Sequence, residues 1–321
     1  MKKLINLALS LAVTVVLVAW LVEYLEADRF IQTLFDMSFP WFLVSLGFLT
    51  LYQWLRGIRI RLFISPRPSI GPLFGAMCLQ GLMNSILPSW LGEAALVYLL
   101  KRFFGQGIHA GTAAILVVRT ADLAFIFLMF TFMALFLLEE ITRPFITVAL
   151  VMLAIIAAAT VFILVITRMG DGLGLARQGV AGKVAEHLQK LSLALADVRE
   201  RNIMAPMLAL TAAMWLAQYL VFVALVWALR VDLSLTVIFG VYLIGFSVNL
   251  LPVKGVANFG THETAWFIAL RAFGVDPSLA ALLGFGSHVV ILVMHALLGG
   301  PAAGYLYLGG NREEAPRQER L

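Results

Sequence analysis

Long apolar runs separated by short polar links recur along the whole of this 321-residue chain. A helix needs roughly 20 apolar residues to cross the hydrocarbon core of a bilayer, which is about 30 Å thick. Because lipid offers no hydrogen bonds, the backbone of a spanning segment must satisfy its own polar groups. The length of these runs therefore predicts an all-α polytopic integral membrane protein.

Composition and charge point to the same class. The chain is 62% hydrophobic and only 13% charged, whereas roughly a quarter of the residues are charged in soluble domains. The net charge of +5 could indicate a nucleic-acid partner, but the basic residues collect at the ends of apolar runs, as the positive-inside rule describes. We therefore expect no nucleic-acid partner. The single cysteine, Cys78, excludes a disulfide within one chain.

Hydropathy predicts eight membrane segments, which we interpret as six full spans and two re-entrant hairpins. Lys2 and Lys3 place the N-terminus in the cytoplasm, and the polar tail after Asn311 ends on the same side. Four arginines fix the loop after the second span inside: Arg56, Arg59, Arg61 and Arg67. The predicted full spans are residues 4–24, 39–55, 110–138, 145–166, 204–229 and 279–308.

The first predicted hairpin covers residues 72–102. Its apolar run stops at Pro88, before it is long enough to cross the bilayer. Proline lacks the backbone donor that a helix needs, and Glu93 is costly at membrane depth unless it is protonated, paired or hydrated. The chain then becomes apolar again and returns to basic residues at 101 and 102. This pattern predicts a helix break that lines a protected cavity.

A second interruption, in residues 233–273, resembles the first. Asn84, Pro88 and Glu93 correspond to Asn249, Pro252 and Glu263, and a basic residue and a Phe-Gly landmark follow each glutamate. Three crossings separate the hairpins, so they enter from opposite sides. Alternatively, two apolar segments can align by chance.

These matches predict an inverted repeat of helix, helix, hairpin and helix, a design that recurs in secondary transporters. The first repeat is residues 1–142, with the cytoplasmic-side hairpin 72–102. The second repeat is residues 143–321, with the outer-side hairpin 233–273. It includes a cytoplasmic amphipathic helix at 173–202, where apolar residues recur every three or four positions.

The ionisable and backbone-breaking residues at membrane depth are the candidate functional residues. Glu93 and Glu263 should face a common cavity, although each could instead cap the helix that it begins. Arg119 and Asp122 share a helical face, where they either neutralise each other or contact a head group. Lys254 could meet a phosphate or lie exposed. The candidate substrate pathway is Asn84, Pro88, Trp90, Gly92, Glu93, Arg119, Asp122, Asn249, Pro252, Lys254, Gly255, Asn258, Gly260, His262, Glu263 and His288.

No enzyme signature is found in the sequence. There is no His-Glu-x-x-His zinc motif, no Gly-x-Ser-x-Gly nucleophile motif and no phosphate-binding loop. We therefore expect a transporter rather than an enzyme, without a cofactor or a metal.

Three short motifs resemble the membrane region of lysylphosphatidylglycerol synthase, a flippase-like family. The matching residues are Asn84 with Leu87-Pro88 and Gly92-Glu93, Val118-Arg119 with Asp122, and Leu251-Pro252 through Gly255 and Gly260 to Glu263. Members of the family often carry an arginine between the proline and the glycine of the first motif. This chain has Ser89, Trp90 and Leu91 there.

The resemblance implies a translocase that moves a charged phospholipid or a polyprenyl-linked lipid between leaflets of the bacterial cytoplasmic membrane. Its partner would be that membrane lipid, with a lipid-modifying enzyme as a further partner. This chain lacks the soluble aminoacyl-transferring domain of fused members, so it should not synthesise the aminoacyl lipid. Two other classes stay open: a membrane-embedded enzyme or accessory subunit acting on a lipid intermediate, and a small-solute or ion transporter.

Overall fold

A computed structural model describes residues 2–64, 66–87, 89–136, 202–248 and 255–309, with seven isolated positions between 150 and 193. Every regular element in these ranges is helical, which confirms the all-α prediction. The helices, numbered in order among the described residues, are α1 (Lys2–Val22), α2 (Ala27–Phe35), α3 (Phe39–Arg61), α4 (Ile70–Ile86), α5 (Ser89–Phe104), α6 (Ile108–Phe136), α7 (Met204–Ala228), α8 (Leu235–Val248), α9 (Thr261–Ala272) and α10 (Pro277–Gly304). A 3-10 turn lies at Val256–Asn258, and a π turn at Tyr305–Gly309 follows α10.

Three of these helices are long and apolar enough to cross a bilayer. They are α6, α7 and α10, and the bent pair α2–α3, with 79° between its two helices, would make a fourth span among the described residues. The chain is therefore an integral membrane protein. The predicted span at 145–166 and the interfacial helix at 173–202 lie almost entirely outside the described residues, so the inverted repeat stays a prediction.

The structure around the second span adds one helix and corrects one prediction. The added helix is the nine-residue α2, which follows Glu26 and contains Arg29. The second span was expected to end at Leu55, but α3 continues to Arg61. Arginine is a good helix former, and its long stem can pack against apolar neighbours. Arg56 and Arg59 therefore lie on a helix rather than in a loop.

The described chain divides into two compact units. The first contains Met1–Gly57, Ile70–Leu96 and Met214–Leu321, and the second contains Ile58–Ser69 and Val97–Ala213. Within the first unit, α10 packs against α4 and α9. α10 begins where Asp276 accepts hydrogen bonds from the backbone of Ser278 and Leu279, with a proline at the first helical position.

Glycines permit the close packing of α10. A β-carbon at Gly299 would collide with Leu82 of α4 and lie 3.0 Å from the Cys78 carbonyl oxygen. On the α9 side, a β-carbon at Gly284 would lie 3.1 Å from the carbonyl oxygen of Glu263. Such small residues let helix backbones approach in a membrane, and here they place α10 directly against the helix that carries Glu263.

Candidate functional site

The first hairpin is formed by α4 and α5, which fold back on each other. Gln80 Nε2 donates a hydrogen bond of 3.1 Å to the carbonyl oxygen of Gly92, so the two helices are in direct contact. A β-carbon at Gly92 would lie 2.9 Å from the Cα of Asn84 and would overlap its side chain. The pairing of Asn84 with Gly92 therefore depends on the absence of a side chain at position 92.

The structure describes three other predicted residues of this hairpin only as backbone or not at all. Pro88 and the side chains of Trp90 and Glu93 lie outside the described part of the structure. α5 begins at Ser89, which makes Glu93 its fifth residue. The alternative that Glu93 caps a helix that it begins is therefore wrong. Acidic residues stabilise a helix from its first turn, and Glu93 lies beyond that turn.

Replacing Gly92 by alanine should destabilise the protein by about 1–3 kcal/mol, the usual cost of inserting atoms into a packed site. Asn84 is anchored on α4, and its backbone cannot withdraw without moving that helix. The measurement is the free energy of unfolding in mixed micelles with increasing SDS. Gly47→Ala in α3 is the matched control, because nothing lies within 4 Å of its β-carbon position. Equal stability of the two variants would contradict the close contact.

The second hairpin brings α8 against α9, and the backbone is irregular just before α9. Ala257 and Asn258 have φ of 50° and 63°, and Gly260 has φ of 84°. This left-handed backbone costs roughly 1–2 kcal/mol at each non-glycine residue. Helix α1 holds this irregular backbone in place, since Thr14 Oγ1 accepts a 2.7 Å hydrogen bond from the backbone N–H of Val256. Gly255 is also constrained, because a β-carbon there would collide with the Phe259 carbonyl.

Glu263 is fully buried at the start of α9 and uses both carboxylate oxygens. Oε2 accepts a 2.7 Å bond from the backbone N–H of Gly260, which closes the first turn of the helix. Oε1 lies 2.6 Å from Nδ1 of His288 on α10, a residue that is 3% exposed. Glu263 therefore caps its helix, as the structural alternative predicted, and also pairs with an ionisable group of another helix.

His262 and Ser287 extend this pair into a cluster. His262 Nε2 lies 3.1 Å from Ser287 Oγ, and the rings of His262 and His288 stack with centroids 4.7 Å apart. We call Glu263, His288, His262 and Ser287 the glutamate–histidine cluster. The described residues contain no group of three or more metal-ligating side chains arranged to hold an ion. A carboxylate paired with an imidazole can instead hold and exchange a proton.

The two hairpins meet within the first unit. α4 of the first hairpin contacts the 3-10 turn at Val256–Asn258, just before α9. Asn258 lies in that turn, and its Oδ1 is buried without a hydrogen-bond partner among the described residues. Asn249, Pro252 and Lys254 lie outside the described part of the chain. The shared cavity of Glu93 and Glu263 stays a prediction, because it requires the side chain of Glu93.

Arg119 and Asp122 belong to the second unit, where Arg59 also contacts Asp122. Asp122 is 4% exposed and receives two hydrogen bonds from Arg59, of 2.5 Å to Oδ1 and 3.2 Å to Oδ2. Arg119 Nη1 is 3.8 Å from Oδ2, and its side chain is 43% exposed. Thr211 Oγ1 accepts a further bond of 3.0 Å from Arg59. The predicted pair exists, but Arg59 is the stronger partner of Asp122.

The model of the lysylphosphatidylglycerol synthase TM region family matches residues 7–299, nearly the whole chain. The chain belongs to that family. No curated protein and no solved structure matches it. This lysylphosphatidylglycerol synthase TM-region protein is therefore placed in a lipid-related membrane family by its sequence alone.

In this family member, sequence reasoning missed Arg59 as a buried residue. Asp122 itself could have indicated such a residue, because a carboxylate inside an apolar helix needs a cation that is equally buried. Arg119 was the nearest cation in the sequence, whereas the true partner is 63 residues away. Only the tertiary structure brings Arg59 to Asp122.

Proposed function

We propose that this family member is a lipid translocase rather than an enzyme, and that it moves a charged phospholipid or polyprenyl-linked lipid between leaflets. One observation carries the proposal: α4 of the first hairpin packs against the irregular backbone at Val256–Asn258, which leads directly into the buried Glu263. The membership of the chain in a lipid-related family supports a lipid cargo.

The geometry gives a physical reason for a polar pathway. Irregular backbone at membrane depth is tolerated only where it is buried in protein or lines a water-filled cavity. The left-handed backbone segment and the buried Oδ1 of Asn258 provide polar groups that can contact a lipid head group. The acyl or isoprenoid tails stay in lipid, where they need no protein contact.

The charged residues have separate roles in this proposal. Glu263 exchanges a proton with His288 or pairs with the head group as it passes, and Glu93 acts from the first hairpin. Arg119 and Lys254 attract phosphate. These roles rest on the rule that ionisable groups at membrane depth are costly and therefore usually serve a function.

Reconstitution in liposomes tests the proposal directly. Purified protein is incorporated with fluorescent phosphatidylglycerol or a labelled polyprenyl phosphate, and a quencher that cannot cross the bilayer reports the lipid left in the inner leaflet. We expect protein-containing liposomes to expose inner-leaflet lipid to the quencher faster than empty ones. For both lipids, rates in protein-containing liposomes equal to those in empty liposomes would contradict translocation.

Two further readouts separate the other functional classes. Mass spectrometry of the recovered lipids would show a changed mass if the protein were a membrane-embedded enzyme. Uptake of a labelled solute without lipid movement would indicate a solute or ion transporter. A translocase leaves the lipid chemically unchanged.

A further inference from the structure

The short helix α2 has two sides of different chemistry. Viewed down the helix axis, its large apolar side chains fall within an arc of about 140°: they are Phe30, Ile31, Leu34 and Phe35. The rest of the circumference carries its polar side chains, which are Asp28, Arg29, Gln32 and Thr33. This separation is typical of a helix that lies at a boundary between a polar and an apolar medium.

Only one side of the apolar arc packs against the protein. The ring of Phe30 meets the ring of Phe285 on α10 edge to face, with centroids 6.4 Å apart. On the other side of the arc, Ile31 is 50% exposed and Phe35 is 87% exposed. They are four residues apart and therefore lie on one face of the helix. We call Ile31 and Phe35 the exposed stripe.

α2 lies at the level where three apolar helices begin or end. The backbone N–H of Ser38, just before α3, donates a 2.8 Å hydrogen bond to the carbonyl oxygen of Ala228, where α7 ends. Arg29 Nη1 lies 3.5 Å from Ser278 Oγ in the first turn of α10. Because the ends of spanning helices mark the edge of the hydrocarbon, these contacts place α2 at one surface of the membrane.

The direction of α2 fits that position. The chain turns by 79° between α2 and α3, and spanning helices are tilted by only about 20° on average from the bilayer normal. If α3 crosses the bilayer, as hydropathy predicts for residues 39–55, α2 lies close to the plane of the membrane.

The exposed stripe is also continuous with the lipid-facing side of α3. Phe39 and Leu43 follow Phe35 at intervals of four residues, and they are 64% and 48% exposed. Near them, Trp41 packs edge to face on Trp227 of α7, with ring centroids 4.6 Å apart. Tryptophan is enriched at the boundary between hydrocarbon and head groups. The same apolar surface therefore runs from α2 onto the spanning helix.

We propose that α2 is an amphipathic helix that lies in the membrane interface, with Ile31 and Phe35 inserted among the lipid acyl chains. Its partner is the bilayer surface, whether or not the protein translocates lipid. Asp28 and Gln32 lie on the polar arc and face the head groups and water. Because α2 also packs against α10, it links the depth of the helix that carries His288 to the membrane surface.

Fluorescent probes on the full chain in lipid nanodiscs test this placement. Ile31→Cys and Phe35→Cys are made separately in a Cys78→Ala background, and each new cysteine is labelled with the fluorophore NBD. The emission is quenched either by iodide from the water or by lipids that carry a nitroxide on the acyl chain. We expect both probes to lie about 5–10 Å below the head-group boundary, so nitroxide lipids should quench them strongly and iodide weakly.

Two positions serve as matched controls. Gln32→Cys lies on the polar arc of the same helix, and its probe should be quenched mainly by iodide. Leu128→Cys lies near the middle of the span α6, and its probe should be quenched by nitroxide lipids alone. All four positions are exposed, so the variants should fold and elute like the wild type in size-exclusion chromatography.

Three results would overturn the proposal. Iodide quenching at positions 31 and 35 as strong as at position 32 would place α2 in water. Equal nitroxide quenching at all three positions would place the whole helix inside the hydrocarbon. Shielding of positions 31 and 35 from both quenchers would show that protein covers the stripe, and a disulfide-linked dimer of Phe35→Cys would identify a second copy of the chain. The liposome assay tests translocation independently of these results.

Discussion

Replacing Glu263 by glutamine should reduce lipid movement in liposomes at least about tenfold, a barrier increase of about 1.4 kcal/mol. Glutamine keeps an oxygen that can accept the bond from Gly260, so the start of α9 should remain closed. It removes the negative charge beside His288 and the ability to exchange a proton. The rate of transbilayer movement of fluorescent phosphatidylglycerol is the measurement.

Two comparisons make this result specific. Glu26→Gln removes an exposed glutamate and should leave transport unchanged. Glu263→Ala also removes the cap, so it should lower the free energy of unfolding by about 3–5 kcal/mol, because a buried pair loses one partner. Wild-type transport by Glu93→Gln/Glu263→Gln would show that the carboxylates serve structure alone, and the assigned mechanism would be wrong.

Asp122→Asn should destabilise the protein by about 3–5 kcal/mol. Asp122 and Arg59 are both nearly fully buried and joined by two hydrogen bonds. Removing the negative charge leaves the guanidinium uncompensated in an apolar setting. The free energy of unfolding in mixed SDS micelles is the measurement.

A double-mutant cycle measures how strongly these two residues are coupled. Arg59→Met should cost about as much as Asp122→Asn, whereas Arg59→Met combined with Asp122→Leu should cost less than either, because no buried charge is left. Arg119→Gln is the control and should cost less than about 1 kcal/mol, since its side chain is 43% exposed and 3.8 Å from Asp122. Additive costs in the double variant would contradict a coupled pair.

Hydropathy located the long spans well because it reports directly on contact with lipid. The predicted spans at 110–138 and 204–229 agree closely with α6 at Ile108–Phe136 and α7 at Met204–Ala228. Hydropathy missed α2, since this helix is short and contains Asp28 and Arg29. It also ended α3 too early, because basic residues were interpreted as a loop although one of them has a buried partner.

The candidate site was predictable where the residues are close in sequence. Gly260, His262 and Glu263 lie within one short segment, and the cap at the start of α9 follows from their spacing. His288 was included on the weak signal of a histidine in an apolar helix, and the bond to Glu263 could not be read from the sequence. The role of Arg59 depends on a contact between distant helices, which a single sequence does not reveal.

α10 carries two histidines that contact different helices of the first unit. His288 pairs with Glu263 of α9, and His295 lies 3.1 Å from Ser85 Oγ of α4. They are seven residues apart on this helix, about 10 Å at the usual helical rise. Pro277 is the first residue of α10, and Pro301, the proline inside the helix, lies beyond both histidines. The stretch between them is therefore unbroken helix that holds the two histidines at a fixed separation, so any movement of α10 would alter the contacts of His288 with Glu263 and of His295 with Ser85 together.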